Sequence, residues 1–449
     1  MMIRLLLSLL ALSLTATAQQ HPIVALEASG SERYKPAEIV AATGLKPDIS
    51  KPVSLAAVRD AAQRLVDSGV FSDLSYRHAA ATGGMNVQFI VKDKPADQFL
   101  PAVFENVVWL GDSELGDQLR KRLPLFRGDI PLDGRLGDEV ADAVAQVLKQ
   151  RNVDAHVTSA QSCVSGEQHC TRNFTIDNIE IDAEELNIAG APPEIAAEVQ
   201  QAAKVSIVGK PYLRSQTDKE LARLIRAACL RRGLLKPQLG EITAVPSHHS
   251  GDGVGVAVKA SVLPGLAYRY EGQAWTGNTA IESAKLEKMV HLYQHLPVDG
   301  VKLESDLDQV RAQFAIRGYM QAKITAQPQL DDAQGTVKYA FAVTEGPLFK
   351  MGKLDISGFP DKLVNEITTL WKLREGDPFD RSYVARFFSD PRIMQSFEGR
   401  QFVVEQSEGE NEQIVDISIV LCHPNGCKPS PNALFVSGEP QSDSKPESK

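Results

Sequence analysis

With 57 acidic residues against 48 basic ones, the 449-residue chain has a formal charge of −9. This balance argues against a nucleic-acid partner, because phosphate binding needs a face rich in Lys and Arg. The composition is 43% hydrophobic and only 6% aromatic, which suits several small domains better than one large core.

The N-terminal residues predict a secretory signal peptide over residues 1–18. Arg4 supplies a short positive region, a largely apolar run extends from Leu5 to Leu14, and Ala16-Thr17-Ala18 is a small-residue cleavage site. A membrane anchor would need about 20 apolar residues, and this run ends too early. We therefore expect cleavage, export from the cytosol and no transmembrane span in the mature chain.

The first unit of the chain is predicted to open with a strand at Ile23 and to continue with a short helix near Glu38. Strands at 71–76 and 87–91 then pair across a Gly-Gly turn. Before these strands, residues at helical spacing predict a second helix: Leu55, Val58, Ala62, Leu65 and Val66. The second and third units follow the same order less clearly, with helical stripes at 136–147 and around Leu224.

The fourth unit shows the element order most clearly. A strand at 267–271 precedes a helix that Asn278 or Thr279 could cap and that extends to His291. A second helix starts near Lys302, and alternating strands at 319–325 and 337–343 complete a hairpin. The predicted order is β-α-α-β-β. The fifth unit repeats it from Met351, with its second helix interrupted at 390–391.

Four helix ends recur at a near-constant interval along the chain. They lie at Gly69, Asn152, Gly233 and Gly318, so that successive positions are 83, 81 and 85 residues apart. Glycine tolerates the left-handed backbone that closes a helix. This spacing indicates a tandem string of small domains, whose function is that of an array and not that of one pocket.

The cysteines predict two disulfides. Cys163 and Cys170 flank a polar loop, and Cys422 and Cys427 flank His-Pro-Asn-Gly, so each pair could close a tight turn in an oxidising compartment. Metal binding is the alternative for these four residues, but no second cysteine pair lies nearby at comparable spacing. Cys229 lies on a helical apolar stripe and is predicted to be a small buried hydrophobe.

Several features resemble those of POTRA (polypeptide-transport-associated) domains. They are the seam between the fourth and fifth units, which reads Val-Thr-Glu-Gly-Pro-Leu-Phe at 343–349, the helix ends at Gly69 and Gly318, and the element order. Those modules stand in tandem in the periplasm, before the membrane barrels of outer-membrane assembly and two-partner secretion proteins. The resemblance implies an α+β fold and an extended array of five POTRA-like domains. The predicted boundaries are 22–95, 99–177, 178–263, 266–345 and 348–421.

The C-terminal sequence departs from the family pattern. A membrane barrel needs at least eight strands of about 10 residues, and too few residues follow Leu421, so we expect an array without its barrel. Residues 428–449 are polar and rich in Pro and Ser, which predicts a disordered tail.

The resemblance also implies where each unit could bind a polypeptide. If the family topology holds, the strand after the second helix is an edge strand that can accept an extended peptide by β-augmentation. The predicted edge residues are Leu74 and Tyr76 in the first unit, Lys323 and Ile324 in the fourth, and Phe402 and Val403 in the fifth. The alternative is that an edge is solvated or blocked by a neighbouring unit.

Signals for catalysis, cofactors and metals are weak. Gly251-Asp-Gly253-Val-Gly255 leads into a strand and not into an anion-binding helix, and the pairs His291/His295 and His248/His249 lack a third ligand. We expect no enzyme, no cofactor and no metal site; a site between domains is the remaining enzymatic alternative.

We therefore expect a periplasmic protein that a partner could hold at the outer membrane. Its expected ligands are unfolded or nascent outer-membrane polypeptides, or an outer-membrane assembly complex. The alternative is a scaffold or regulatory module that binds one folded partner of an envelope complex.

Overall fold

A computed structural model describes residues 20–163, 170–250, 253–409, 412–422 and 430–436. The predicted signal peptide lies outside these residues. The described strands form five separate sheets, and we call each sheet with its helices a unit, numbered 1 to 5 along the chain. The number of independent domains stays a prediction. Contacts divide the chain into two compact parts: one holds units 1 and 2 and part of unit 3, and the other holds the rest.

Unit 1 has the four-stranded order β2-β1-β4-β3. Its elements are β1 (Gln20–Ser29), α1 (Pro36–Thr43), β2 (Asp48–Ser54), α2 (Leu55–Asp67), β3 (Phe71–Ala81) and β4 (Gly84–Asp93). Strand β4 runs parallel to β1 and antiparallel to β3. Along β4, buried Val87, Phe89 and Val91 alternate with more exposed residues, so one face of the sheet is covered.

Unit 2 repeats this arrangement in the order β6-β5-β8-β7. Its elements are β5 (Phe99–Phe104), α3 (Asp112–Arg122), β6 (Asp129–Pro131), α4 (Leu136–Lys149), β7 (Val157–Cys163) and β8 (Cys170–Ile176). The apolar stripe of α4 is fully buried at Val140, Val144 and Val147, as its helical spacing predicts.

Unit 3 has the order β10-β9-β13-β11, and a further strand, β12, also pairs with β13. Its elements are β9 (Ile181–Ala189), α5 (Pro193–Ser206), β10 (Lys210–Pro211), α6 (Arg214–Leu230), β11 (Gln238–Leu239), β12 (Thr243–Ser250) and β13 (Gly253–Leu263). Cys229 lies on α6 and is completely buried, which confirms its interpretation as a core residue.

Unit 4 has a three-stranded sheet in the order β14-β16-β15. Its elements are β14 (Arg269–Thr276), α7 (Ser283–Glu287), α8 (Gly300–Ala315), β15 (Lys323–Asp331) and β16 (Thr336–Thr344). Strand β16 runs parallel to β14 and antiparallel to β15.

Unit 5 has the order β17-β19-β18-β20. Its elements are β17 (Lys350–Ser357), α9 (Asp361–Leu370), α10 (Arg381–Phe388), α11 (Pro391–Ser396), β18 (Phe402–Glu408), β19 (Ile414–Leu421) and β20 (Ala433–Val436). The helix break predicted at 390–391 is present, because Asp390 caps a new helix that Pro391 begins.

The predicted element order is incomplete for units 1 to 3. In these units the loop between the two helices forms a short strand, β2, β6 or β10, which pairs with the outer side of the first strand. In units 4 and 5 the same loop gives only an isolated bridge, Arg269 with Pro297 and Lys350 with Pro378. The added strand satisfies backbone groups that the first strand would otherwise leave unpaired.

The first helix predicted in unit 4 is too long, because α7 occupies only Ser283–Glu287. Tertiary hydrogen bonds use the backbone groups that a longer helix would need. The Asn278 side chain donates to the Ile281 carbonyl, and the His291 backbone N–H donates to Asp306. The following strand also starts later than predicted, because the backbone N–H of Tyr319 still donates to Phe314 at the end of α8.

Candidate polypeptide-binding edges

In four units the strands that follow the second helix pair on one side only, within the described residues. These strands are β3 in unit 1, β7 in unit 2, β11 and β12 in unit 3, which both pair with β13, and β15 in unit 4. An end strand of this kind displays backbone N–H and C=O groups that can pair with an extended chain, whatever the sequence of that chain.

The end strand of unit 1 carries the predicted residues Leu74 and Tyr76. They pair across the ladder with Val91 and Phe89, and the ring of Tyr76 lies 6.1 Å from that of Phe89. Both side chains are half-buried, whereas Arg77 is exposed. A peptide at this edge would therefore meet the backbone of β3 and its exposed side chains more than Leu74 or Tyr76.

The end strand of unit 4 carries Lys323 and Ile324. The Lys323 side chain is exposed, and the Ile324 side chain is 8% exposed and belongs to the core of the unit. Strand β15 pairs with β16 from Lys323 to Asp331 without a register shift. Pro328 lies within the strand, which fits its position at an edge because proline is found mainly in edge strands.

The predicted edge of unit 5 is not open. Strand β20 pairs antiparallel with β18 at Val403, Val404 and Glu405, on the side away from β19. Phe402 and Val403, which were predicted to bind a peptide, are 0% and 6% exposed. The prediction of an open edge is wrong here, because a later segment of the same chain pairs with β18. Peptide binding at Phe402 and Val403 stays a prediction.

Strand β20 also corrects the prediction that residues 428–449 form only a disordered tail. Phe435 stacks on two rings of unit 5, with centroid distances of 5.0 Å to Phe388 and 5.7 Å to Phe402. Before the strand, the backbone N–H of Ser430 donates to the Glu405 carboxylate at 3.0 Å. Residues 437–449 lie outside the described residues.

The hairpin of unit 2 contains a disulfide. Cys163 and Cys170 face each other across the β7–β8 ladder with their Cα atoms 4.2 Å apart, and their sulfur atoms are bonded. Cys422 is also disulfide-bonded. Cys427 lies outside the described residues, so its pairing with Cys422 stays a prediction.

The recurring glycines lie where one unit meets the next. Each has a positive φ. If another residue replaced the glycine, its Cβ atom would come within 2.8 Å of a carbonyl oxygen that lies in the next unit or just before the first strand of that unit. The distances are 2.0 Å for Gly69 to Asp133, 2.8 Å for Gly233 to Tyr268, and 2.5 Å for Gly318 to Phe349. Glycine is needed at these joints both for the left-handed backbone and for the close approach.

The joint between units 2 and 3 is built differently. Asn152, at the corresponding helix end, adopts a φ of 62° and is exposed. The contact is made by Glu105, which is 3% exposed and accepts hydrogen bonds from the Ser215 backbone N–H at 2.9 Å and hydroxyl at 2.7 Å. A third bond, from Asn173 at 2.6 Å, completes the environment of this carboxylate.

The seam at 343–349 also has a structural role. The Glu345 carboxylate accepts hydrogen bonds from the Thr279 hydroxyl and from the backbone N–H groups of Thr279 and Ala280. Burial raises the pKa of Glu345, but these hydrogen bonds outweigh it and hold the pKa below its usual value. The charged carboxylate thus ties the end of β16 to the loop after β14.

No group of three or more His, Cys, Asp or Glu side chains in the described ranges could hold a metal ion. His291 and His295 do not lie on the predicted surface helix, because α7 ends before them. The Nδ1 atom of His291 lies 3.0 Å from the buried Asp306 carboxylate, which also accepts from the Lys302 ammonium. These contacts link the segment after α7 to α8.

Comparison with known proteins defines the class of the chain. A POTRA family model, described as "Surface antigen variable number repeat", matches residues 268–346, which is unit 4. Unit 4 is therefore a POTRA domain. The sheets of units 1, 2 and 5 share the central arrangement of unit 4. In each, the last strand of the hairpin runs parallel to the first strand of the unit and antiparallel to the other hairpin strand. The chain is an array of POTRA-like α+β domains.

The outer membrane protein assembly factor BamA of Nitratidesulfovibrio vulgaris is 19% identical over 389 residues, which are 83% of this chain and 47% of that protein. The chain thus spans about half the length of this curated relative. Among solved structures, Haemophilus influenzae BamA POTRA3-5 is similar, with a TM-score of 0.38, 18% identity, and coverage of 54% of this chain and 96% of that chain.

The N-terminal domain of Omp85 from Thermosynechococcus elongatus is also similar, with a TM-score of 0.23, 19% identity, and coverage of 55% of this chain and 98% of that chain.

A separate finding concerns the membrane. Every helix that the structure describes is too short or too polar to cross a bilayer.

Proposed function

We propose that the chain is a non-enzymatic periplasmic protein that binds extended polypeptides during outer-membrane protein assembly or secretion, by β-augmentation at β3 and β15. The observation that carries the proposal is the one-sided pairing of β15, in the unit that matches the POTRA family. Similarity to an outer membrane protein assembly factor supports the process.

The chemistry of the two edges suits an unfolded ligand. Backbone hydrogen bonds do not depend on the side chains of the added strand, so one edge can receive many sequences. Residues exposed along β15 include Lys323, Thr325 and Gln327, with few charges that would select one partner. A weakly selective surface is what a protein needs when its ligands share only an unfolded backbone.

Two observations support a periplasmic location. The N-terminal sequence predicts export, and the Cys163–Cys170 disulfide is of the kind that persists in an oxidising space such as the periplasm. Several edges in one chain could bind separate segments of one long polypeptide, and linked sites of this kind bind more tightly than single ones. An extended arrangement of the units stays a prediction, which small-angle scattering would test.

Photocrosslinking in cells tests the proposed edges. A photoreactive residue replaces Arg77 on β3 or Lys323 on β15, and matched controls replace Gln309 or Asp308 on the exposed side of α8. We expect the two edge positions to capture several different outer-membrane polypeptides and the controls to capture few. Equal capture at Gln309 and Lys323 would contradict the edge model.

The same experiment separates the second candidate function, a scaffold for one folded partner. In that case all productive positions would capture a single protein in fixed stoichiometry. Competition by a denatured, unrelated polypeptide would then have no effect, whereas it should reduce capture at β3 and β15 if backbone pairing drives binding.

A further inference from the structure

Within the described residues, strand β20 covers only part of the edge that β18 offers. On its inner side β18 pairs with β19 at all seven of its residues, from Phe402 to Glu408. On its outer side the described part of β20 pairs at three positions, with a register shift between Val404 and Glu405, and the Gln406 backbone N–H donates to the Asn432 carbonyl just before β20. A longer strand in the same place could form more backbone pairs than β20 does.

Two side chains of β20, Leu434 and Phe435, pack against the core of unit 5. Phe435 stacks on Phe388 and Phe402, inside a cluster of rings that also includes Phe359 and Phe397. Leu434 and Phe435 are only half-buried. An isolated strand of four residues has little stability of its own, so its position depends on these contacts and on the edge.

The geometry points to β20 as a built-in occupant of a polypeptide-binding edge. We propose that an extended segment with an aromatic residue opposite Val404 displaces β20 and takes its place on β18. The inference rests on the proposed function only in its ligand class, an extended polypeptide. It assigns unit 5 a ligand with a defined feature, an aromatic side chain that replaces Phe435 against Phe388 and Phe402.

The tethered strand should weaken peptide binding without preventing it. An intramolecular competitor acts at an effective concentration on the order of millimolar, so the intact chain should bind a free peptide at least about tenfold more weakly than a chain without β20. A ligand with a longer strand or a better aromatic fit overcomes this competition. Unit 5 would therefore select its ligands more strictly than the open edges of units 1 and 4.

The test uses a labelled synthetic peptide with the sequence of residues 430–436, Ser-Pro-Asn-Ala-Leu-Phe-Val, added to the protein. Fluorescence anisotropy compares the intact chain with a chain that ends at Lys428. We expect binding to the shortened chain and at least about tenfold weaker binding to the intact chain. The same peptide with Phe435→Asp is the matched control and should bind neither.

Two further variants keep the test decisive if the shortened chain does not fold. In the full-length chain, Phe435→Ala should loosen β20 and increase peptide affinity over that of the intact chain. The double variant Glu405→Cys/Ala433→Cys joins two residues that face each other across the β18–β20 pair. Under oxidising conditions it should lose peptide binding and regain it on reduction, with the unmodified chain treated in parallel.

Equal affinity of the intact, shortened and Phe435→Ala chains would overturn the inference, as would a folded shortened chain that does not bind the peptide. Failure of the proposed function is distinguishable, because crosslinking from Arg77 and Lys323 does not involve β20. If those positions capture polypeptides while unit 5 binds no peptide, only the inference fails. If unit 5 binds the peptide and those positions capture nothing, only the proposed edges fail.

Discussion

Units 4 and 5 share one strand arrangement and differ at the outer edge. In both, the first strand lies parallel to the last strand of a hairpin, whose other strand follows the second helix. In unit 4 that strand, β15, is at the end of the sheet, whereas in unit 5 its counterpart, β18, is covered by β20. An open edge is therefore a property of the whole chain, and the repeated fold alone does not guarantee it.

The cores of the two units differ at this edge. In unit 4 the stacked rings lie on β14 and β16, with Trp275 4.5 Å and Tyr339 5.6 Å from Phe341. The corresponding edge strand contributes Ile324. In unit 5 an aromatic ring, Phe402, lies on the edge strand itself and stacks on Phe435. An aromatic ring at the edge gives an added strand something to pack on.

The largest expected effect comes from the joint between the two units. Gly318→Ala places a Cβ atom 2.5 Å from the Phe349 carbonyl oxygen and also requires a φ near +87°. We expect it to lower the free energy of unfolding by about 3 kcal/mol, from backbone strain plus overlap. Urea denaturation of the full chain measures the loss.

Gly376→Ala is the matched control for this joint. Gly376 has a φ of +85° and no atom within 4 Å of the added Cβ, so it carries the backbone cost without the overlap. Its expected loss is about 1 to 2 kcal/mol. Equal losses of unfolding free energy for the two variants would show that the close contact between Gly318 and Phe349 adds nothing to the cost.

A smaller effect, confined to unit 4, is expected for Asp306→Asn. Asp306 is completely buried and accepts from Lys302, from the His291 backbone N–H and from His291 Nδ1. Removing its charge should destabilise unit 4 by about 2 kcal/mol at pH 7. Hydrogen exchange of β16 reports on unit 4, and exchange of β19 in unit 5 should be unchanged.

The same variant gives a pH dependence with a defined sign. Burial raises the pKa of Asp306, but the hydrogen bonds from Lys302 and His291 outweigh it, so the pKa in the folded chain is lowered. The contribution is therefore complete above the unfolded pKa of about 3.9 and is lost as the pH falls through the folded value. The difference in stability between the unmodified chain and the Asp306→Asn variant should shrink as the pH falls below that unfolded pKa. A constant difference would exclude the carboxylate as its source.

The smallest expected effect concerns β20. Phe435→Ala removes the aromatic anchor of a half-buried strand, which should favour its opening by about 1.4 kcal/mol and increase exchange of the outer β18 amides about tenfold. Leu330→Ala in β15 is the control, because it affects unit 4 and should leave β18 unchanged. Unchanged β18 exchange in Phe435→Ala would mean that β20 does not depend on this ring.

The parts of the fold that follow from local signals were predictable. The helical stripe before Gly318 and the alternating hairpin after it indicate the end of α8 and the position of β16, whereas β15 starts later than predicted. The joint role of Gly69, Gly233 and Gly318 was not predictable in detail. Sequence showed that glycine closes each helix, but the close approach of the next unit is a tertiary contact.

Several of the strands that sequence reasoning missed are very short and pair with strands that are distant in the sequence. Strand β10 has two residues and β6 has three, which is too few to show alternation. Residues 433–436, Ala-Leu-Phe-Val, are an apolar run within a polar tail, and this run was the available signal for β20. Its partner could not be inferred, because pairing depends on a free edge that only the folded unit presents.

Hydrogen exchange during ligand binding tests the central claim most directly. A denatured outer-membrane polypeptide is added to the intact chain, and amide exchange is followed in β3, β15 and β18. The account predicts new protection of the outer amides of β3 and β15, with less change in β18 because β20 already covers it. Protection confined to the helices, with β3 and β15 exchanging as in the free chain, would contradict binding at the sheet edges.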